Sequence, residues 1–346
     1  TAAFYLLTGL GHQAVMVFFV LSGFLVGGSV LNDLRRERFS LARYAINRVS
    51  RLYVVLLPAL ALGWLIDSAG STWFAAEGIY TGQWPQPLAA LQYSVVERLQ
   101  PLTALASAGN LQTIVAPPLG SNGPLWSLAN EFWYYVLFPL LALPLFLRGR
   151  MLASGACLVV AAAVAWLTHP EILAFGAVWL LGVLVRLCPW RLPVPLWLGG
   201  GVVVLAALAS SRVAHLDLGR WGGFANDLGL GVVFTVFLLS AMSDRGSAPL
   251  PGQRLSAALA NCSYSLYLLH FPMLLLLCTA VQHAWGCGLS QAPSATAYAL
   301  FAGLTALLSA YAFGVAQLTE RHTNAIRDVL QRLLLRQPRP ATPPAT

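Results

Sequence analysis

Lysine is absent from the sequence, and charge of either sign is scarce. Of the 346 residues only 9% are charged, with 20 basic side chains, all arginine, against 12 acids. A soluble domain of this size would carry about 25% charged residues, which excludes a water-soluble protein. The five cysteines, at 157, 188, 262, 278 and 287, lack the paired spacings of a disulfide framework or a metal site. Most lie in apolar stretches and read as packing thiols, so no metal centre is expected. No internal repeat of the kind that marks many transporters is visible.

What the chain does have is hydrocarbon: 58% hydrophobic residues and a mean hydropathy of +0.70. A helix rises about 1.5 Å per residue and must cross about 30 Å of hydrocarbon, so windows of roughly 17–25 apolar residues mark spans. Such windows fall near 13–31, 50–67, 125–147, 151–168, 171–188, 195–211, 223–242, 262–281 and 295–318. The expected fold is all-α, a polytopic transmembrane bundle of about nine spanning helices.

Arginine placement decides how the ambiguous stretch LTALASAGNLQTIVA, 102–116, is treated. Clusters occur at Arg35, Arg36, Arg38, Arg43, Arg48 and Arg51, at Arg148 and Arg150, at Arg186 and Arg191, at Arg245 and Arg254, and from Arg321 to Arg336. All fall on one side of the membrane only if 102–116 does not cross, so the positive-inside rule predicts a re-entrant or surface segment there. The same rule makes the Arg-rich side and the C-terminus cytoplasmic and starts residue 1 outside. Topology thus explains the net charge of +8 better than a nucleic-acid partner does. A start outside with an odd number of spans, and an opening TAAFYLLTGLG that reads as the end of a loop, predict at least one helix upstream of Thr1. The Pro-rich tail QPRPATPPAT is expected to be disordered.

Polar side chains inside the apolar windows need reasons. In WSLANEFWYY, 126–135, Glu131 lies about two turns into a helix that begins at the Asn122-Gly123-Pro124 turn. Ser127, Tyr134 and Tyr135 share its face, with Asn130 adjacent. A carboxylate in hydrocarbon costs about 2.5–3.5 kcal/mol unless protonated, paired or wetted. Glu131 therefore either lines a cavity or pairs with an Arg or Tyr to fix helix packing.

In NCSYSLYLLHFP, 261–272, Ser263, Tyr267 and His270 line one face just before Pro272. His270 is placed near the bilayer midplane, as a proton-transfer group or as a histidine bonded to a neighbouring helix. Arg48 and Arg51 in NRVSRLYVVLLP share a face at a helix mouth, where guanidinium forks suit phosphates, or where topogenic charge would also be found. In HQAVMVFFVLSGFLVGG, 12–28, Ser22 lacks the nucleophile-elbow context and reads as packing, and His12 as a headgroup-level residue.

Four of these segments, AVMVFFVLSGFL at 14–25, RVSRLY at 48–53, GPLWSLANEFWYYVLFPLL at 123–141 and SYSLYLLHFP at 263–272, together and in order resemble the acyltransferase 3 family of integral membrane O-acyltransferases. The resemblance spans nearly the whole chain. It implies a bundle of about ten helices in the bacterial cytoplasmic membrane that transfers an acyl group, often acetyl, from acyl-CoA to a hydroxyl of a carbohydrate or lipid-linked glycan. No cofactor would be tightly bound; acyl-CoA would be a cosubstrate. A single domain would occupy 1–320, with 321–346 a basic cytoplasmic tail.

By the same resemblance, Glu131 and His270 are catalytic-site candidates and Arg48 and Arg51 candidates for the CoA phosphates. Ser127, Asn130, Tyr134, Ser263 and Tyr267 are candidates for substrate contact. The family's usual first helix carries an Arg followed eleven residues later by a His. No histidine here has Arg at that offset, which places the expected catalytic helix upstream of Thr1. The competing expectation is a transporter or flippase whose intramembrane Glu and His relay protons or bind solute.

Overall fold

Backbone polar groups in hydrocarbon must be satisfied within their own segment, and helices do this. Among its described residues the computed structural model is 79% helical with no strand. It describes residues 9–84, 91–147, 149–190, 192–214, 216, 219–243, 256, 259–260, 262–287 and 294–335. The Pro-rich tail, Arg148, Arg191, Arg245, Arg254 and Arg336 lie outside the described residues.

The helices are α1 (Gly11–Arg35), α2 (Leu41–Trp73), α3 (Pro101–Ala108), α4 (Leu125–Ala142), α5 (Met151–Leu167), α6 (Pro170–Leu187), α7 (Leu196–Val213), α8 (Gly219–Ala241), α9 (Ser263–Trp285), α10 (Ala295–Leu318) and α11 (Thr323–Leu334). Among the described residues eight segments are long and apolar enough to cross a membrane, and α5, at 17 residues, is a shorter apolar helix. All nine expected windows are therefore helical. The 102–116 stretch holds only the eight-residue α3 and turns, far short of a span.

The chain divides into two compact units, one of Thr1–Phe39 with Ser127–Pro251, the other of Ser40–Trp126 with Gly252–Thr346. In the first, α1 and α6 cross at glycines. A Cβ on Gly23 would overlap the Trp179 carbonyl, and one on Gly182 would overlap the Val20 carbonyl. Small residues let helix backbones approach where lipid supplies no hydrophobic drive. At this crossing α1 widens into a π turn, Gly23–Gly27. Phe19, Tyr134, Phe138 and Trp179 interlock around it, with ring centroids 5.1–6.0 Å apart.

In the second unit α2 packs against α9, α3 and α11, and α9 against α10. The segment between α2 and α4 folds into a small lobe around Ile79, Tyr80, Leu91 and Val95, which pack with Leu275 of α9. Burial, and then the nearby Asp67 carboxylate, hold the Tyr80 phenol well above its usual range.

Asp67 fastens the lobe to α2. Its carboxylate, 1% exposed, accepts hydrogen bonds from the Ser121 amide at 2.7 Å and the Ser121 hydroxyl at 2.9 Å. Gly120 allows this approach: its φ is +54°, and a Cβ would overlap the Asp67 carboxylate.

Candidate functional site

The expected site residues fall into one group within each unit. In the first unit Glu131 is buried at 4% exposure and does not meet lipid. Its Oε1 accepts hydrogen bonds from the Ser22 hydroxyl at 2.7 Å and from the Tyr135 hydroxyl. Ser22 Oγ in turn accepts from the Trp179 indole N–H at 3.1 Å. The result is a chain of polar groups drawn from α1, α4 and α6, sealed among aromatic rings.

Ser127 and Asn130 are buried beside Glu131, and Tyr134 donates to the Ile172 carbonyl at 2.8 Å. Tyr135 stands four residues from Glu131, the spacing that puts both on one helix face. Ser22 is more than a packing residue, because it bridges α1 and α6 to the carboxylate.

In the second unit the start of α4 is pinned from three directions. Asn122 donates to the Leu268 carbonyl at 2.8 Å, Tyr267 to the Pro124 carbonyl at 2.6 Å, and Gln112 to the Leu125 carbonyl at 2.9 Å. The side-chain carbonyl oxygens of Gln112 and Asn122 are buried with no hydrogen-bond partner among the described residues, and each keeps unused acceptor capacity.

His270 Nδ1 lies 2.7 Å from the Tyr267 carbonyl and 3.2 Å from that of Leu266. Those contacts require an N–H at Nδ1, which leaves Nε2 as the basic nitrogen of the neutral ring. Its bonds run to its own helix rather than to a neighbour. Ser263 is exposed, and its hydroxyl donates to the Ala260 carbonyl at 3.0 Å.

Arg51 is engaged by a residue that the sequence did not single out. Its Nη2 lies 3.4 Å from Glu320 Oε1, and Glu320 Oε2 accepts from the Ser265 amide and hydroxyl at 3.3 and 3.0 Å. The Arg51 guanidinium also lies 5.8 Å from the Tyr264 ring centroid, and that of Arg48 the same distance from the Tyr44 ring. Half of the Arg51 side chain is exposed, whereas Glu320 is buried.

A second unanticipated pair is His12 with Asp227, whose carboxylate oxygens lie 2.9 and 3.0 Å from His12 Nε2. Asp227 sits inside α8, and Asp67 inside α2. The rule that flags Glu131, an acid inside an apolar window, also applies to both and would have found them. Glu320 follows the last window and gave no such signal. No disulfide joins the cysteines, and no metal-binding cluster exists, among the described residues.

The family profile described as the acyltransferase domain matches residues 1–315. The chain belongs to this acyltransferase family. It is 31% identical over 135 residues to acyltransferase MdmB of Streptomyces mycarofaciens, covering 39% of this chain and 29% of that protein. It is 28% identical over 134 residues to an uncharacterized protein of Haemophilus influenzae, covering 36% of this chain and 46% of the relative. The chain thus spans less than half the length of the curated relatives it matches. No solved structure matches it. Family and apolar helices together make the chain an integral membrane member of the acyltransferase family.

Proposed function

We propose that the chain serves the transfer of an acyl group, acetyl by preference, from acyl-CoA to a hydroxyl of a carbohydrate or lipid-linked glycan in the bacterial cytoplasmic membrane. The observation that carries the reading is the buried Ser22–Glu131–Tyr135 cluster, set in two of the segments on which the family resemblance rests. A carboxylate held by hydroxyl donors inside an apolar bundle is a costly arrangement, typical of functional sites.

In this reading Glu131 orders the reaction chamber, with Ser127, Asn130 and Tyr134 around it. His270 offers Nε2 as a proton acceptor, beside Tyr267 and Ser263. Arg48 and Arg51 meet the phosphates of acyl-CoA, for which guanidinium forks are suited. The bond formed is the ester to the acceptor oxygen, and the bond broken is the thioester. The acceptor proton passes to a base as the CoA thiolate leaves.

The test is thioester release by membranes carrying the complete gene product, with and without candidate glycans. Acceptor-dependent release, lost in Glu131→Ala and Arg48→Ala variants that still insert, is the expected result. Normal turnover in both variants removes the site assignment, and solute flux with no acyl-CoA consumption replaces the enzyme with a transporter.

A further inference from the structure

α11 differs in kind from the helices that cross the membrane. It follows the last spanning segment after one turn of 3₁₀ helix, Glu320–His322, so connectivity starts it at the membrane face where α10 ends. At 3.6 residues per turn, Ile326, Val329, Leu330 and Leu333 stand on one face. Ile326, Val329 and Leu333 are exposed, Leu333 to 71%.

The opposite face is polar and is already occupied in part. Gln331 donates to the Asn47 side-chain carbonyl of α2 at 2.8 Å, which fixes how the helix is rotated about its axis. The apolar stripe is thereby turned away from α2. Arg327 and Arg332 flank the stripe on its two edges. Arg327 is paired with exposed Asp328 at 3.0 Å, and the Arg332 Nε donates to the Asp328 carbonyl at 3.2 Å. An exposed pair of neighbours of this kind is weak and leaves the guanidiniums able to turn to another anion. Arg321 adds a third cation one turn before the helix.

We propose that α11 is an interfacial helix that docks on anionic phospholipid headgroups, with its apolar stripe sunk at the acyl boundary and Arg327 and Arg332 at the level of the phosphates. An apolar stripe bordered by arginines on both edges matches a surface that is greasy below and negatively charged above. A water-facing helix would have no use for the stripe, and a spanning one could not carry the arginines. The inference is independent of the acyl-transfer reading.

The test uses the full chain in nanodiscs of phosphatidylcholine, with or without about one third phosphatidylglycerol, and reads amide hydrogen exchange over residues 323–334. An arginine near an anionic surface is worth about fivefold in binding. Exchange should therefore slow several-fold when phosphatidylglycerol is present. Arg327→Gln with Arg332→Gln should abolish that difference, and Ile326→Ser with Leu333→Ser should raise exchange in both lipids. Raising salt to 1 M should also erase the phosphatidylglycerol effect in the native chain. Equal protection in both lipids would overturn the proposal, as would full phosphatidylglycerol protection in the double arginine variant. A stripe covered by a second copy or by another protein would give the first of these results.

Discussion

Ser22 donates its hydroxyl to Glu131 over 2.7 Å although the two residues stand 109 positions apart in the chain. The same oxygen of Ser22 receives the Trp179 indole N–H, so one small side chain ties three helices to one carboxylate. Removing the acid takes the shared acceptor from the Ser22 and Tyr135 hydroxyls, which keep each other at 3.3 Å, and should cost about 1–3 kcal/mol. Glu131→Gln retains an acceptor oxygen and should keep most of the stability while losing turnover. Glu131→Ala should lose both. Thermal unfolding in detergent beside thioester release separates these outcomes, and unchanged turnover in Glu131→Gln would make the cluster purely structural.

The α1–α6 crossing predicts a sharp contrast among glycines. Gly23→Ala and Gly182→Ala place a methyl group where backbone atoms already stand, and should cost about 1–3 kcal/mol or more. Gly201→Ala and Gly303→Ala meet nothing within 4 Å and should be neutral or raise stability by up to about 1 kcal/mol through helix propensity. Midpoints of thermal unfolding for the four single variants check the ranking.

In the proposed acyl-CoA site Glu320 would compete with the phosphates for Arg51. Glu320→Gln keeps an acceptor for the Ser265 hydroxyl but weakens the hold on Arg51, and should lower the KM for acyl-CoA. Arg51→Ala should raise that KM. Glu320→Gln keeps an acceptor for Ser265 and should unfold near the native midpoint, whereas Arg51→Ala takes the cation from a buried carboxylate and should cost about 1–3 kcal/mol. Identical KM values in the two would remove Arg51 from the acyl-CoA site.

The His12–Asp227 pair predicts selective tolerance. His12→Gln keeps an N–H for the carboxylate, whereas His12→Leu leaves a buried acceptor without that donor and should cost about 1–3 kcal/mol. Asp227→Asn in the His12→Leu background should restore part of the loss. A double-mutant cycle on unfolding midpoints measures the coupling, and additivity would mean that the two side chains act independently.

The helices were legible because hydropathy and length are local properties. The windows near 50–67 and 223–242 became α2 and α8, with ends displaced by several residues where apolar character fades gradually. Tyr135 beside Glu131 was legible too, since four residues make one helix face. Ser22 was not. Its role depends on a partner 109 positions away, and nothing in VLSGF distinguishes a packing serine from a bridging one. Arg51 was readable as a helix-mouth cation, but its pairing with Glu320 arises from α2 meeting the turn after α10, a tertiary relation without a local signal. Asp67, an acid at the end of the 50–67 window, carries the same warning as Glu131.

The glycine crossing of α1 with α6 also sets when the bundle can close during synthesis. Gly23 leaves the ribosome 159 positions before Gly182, a delay of roughly 8–30 s at about 5–20 residues per second. During that interval Ser22 and the wide π turn have no partner from α6. Until then α1 stands as a single apolar helix that satisfies its own backbone, and the crossing closes only once α6 is made.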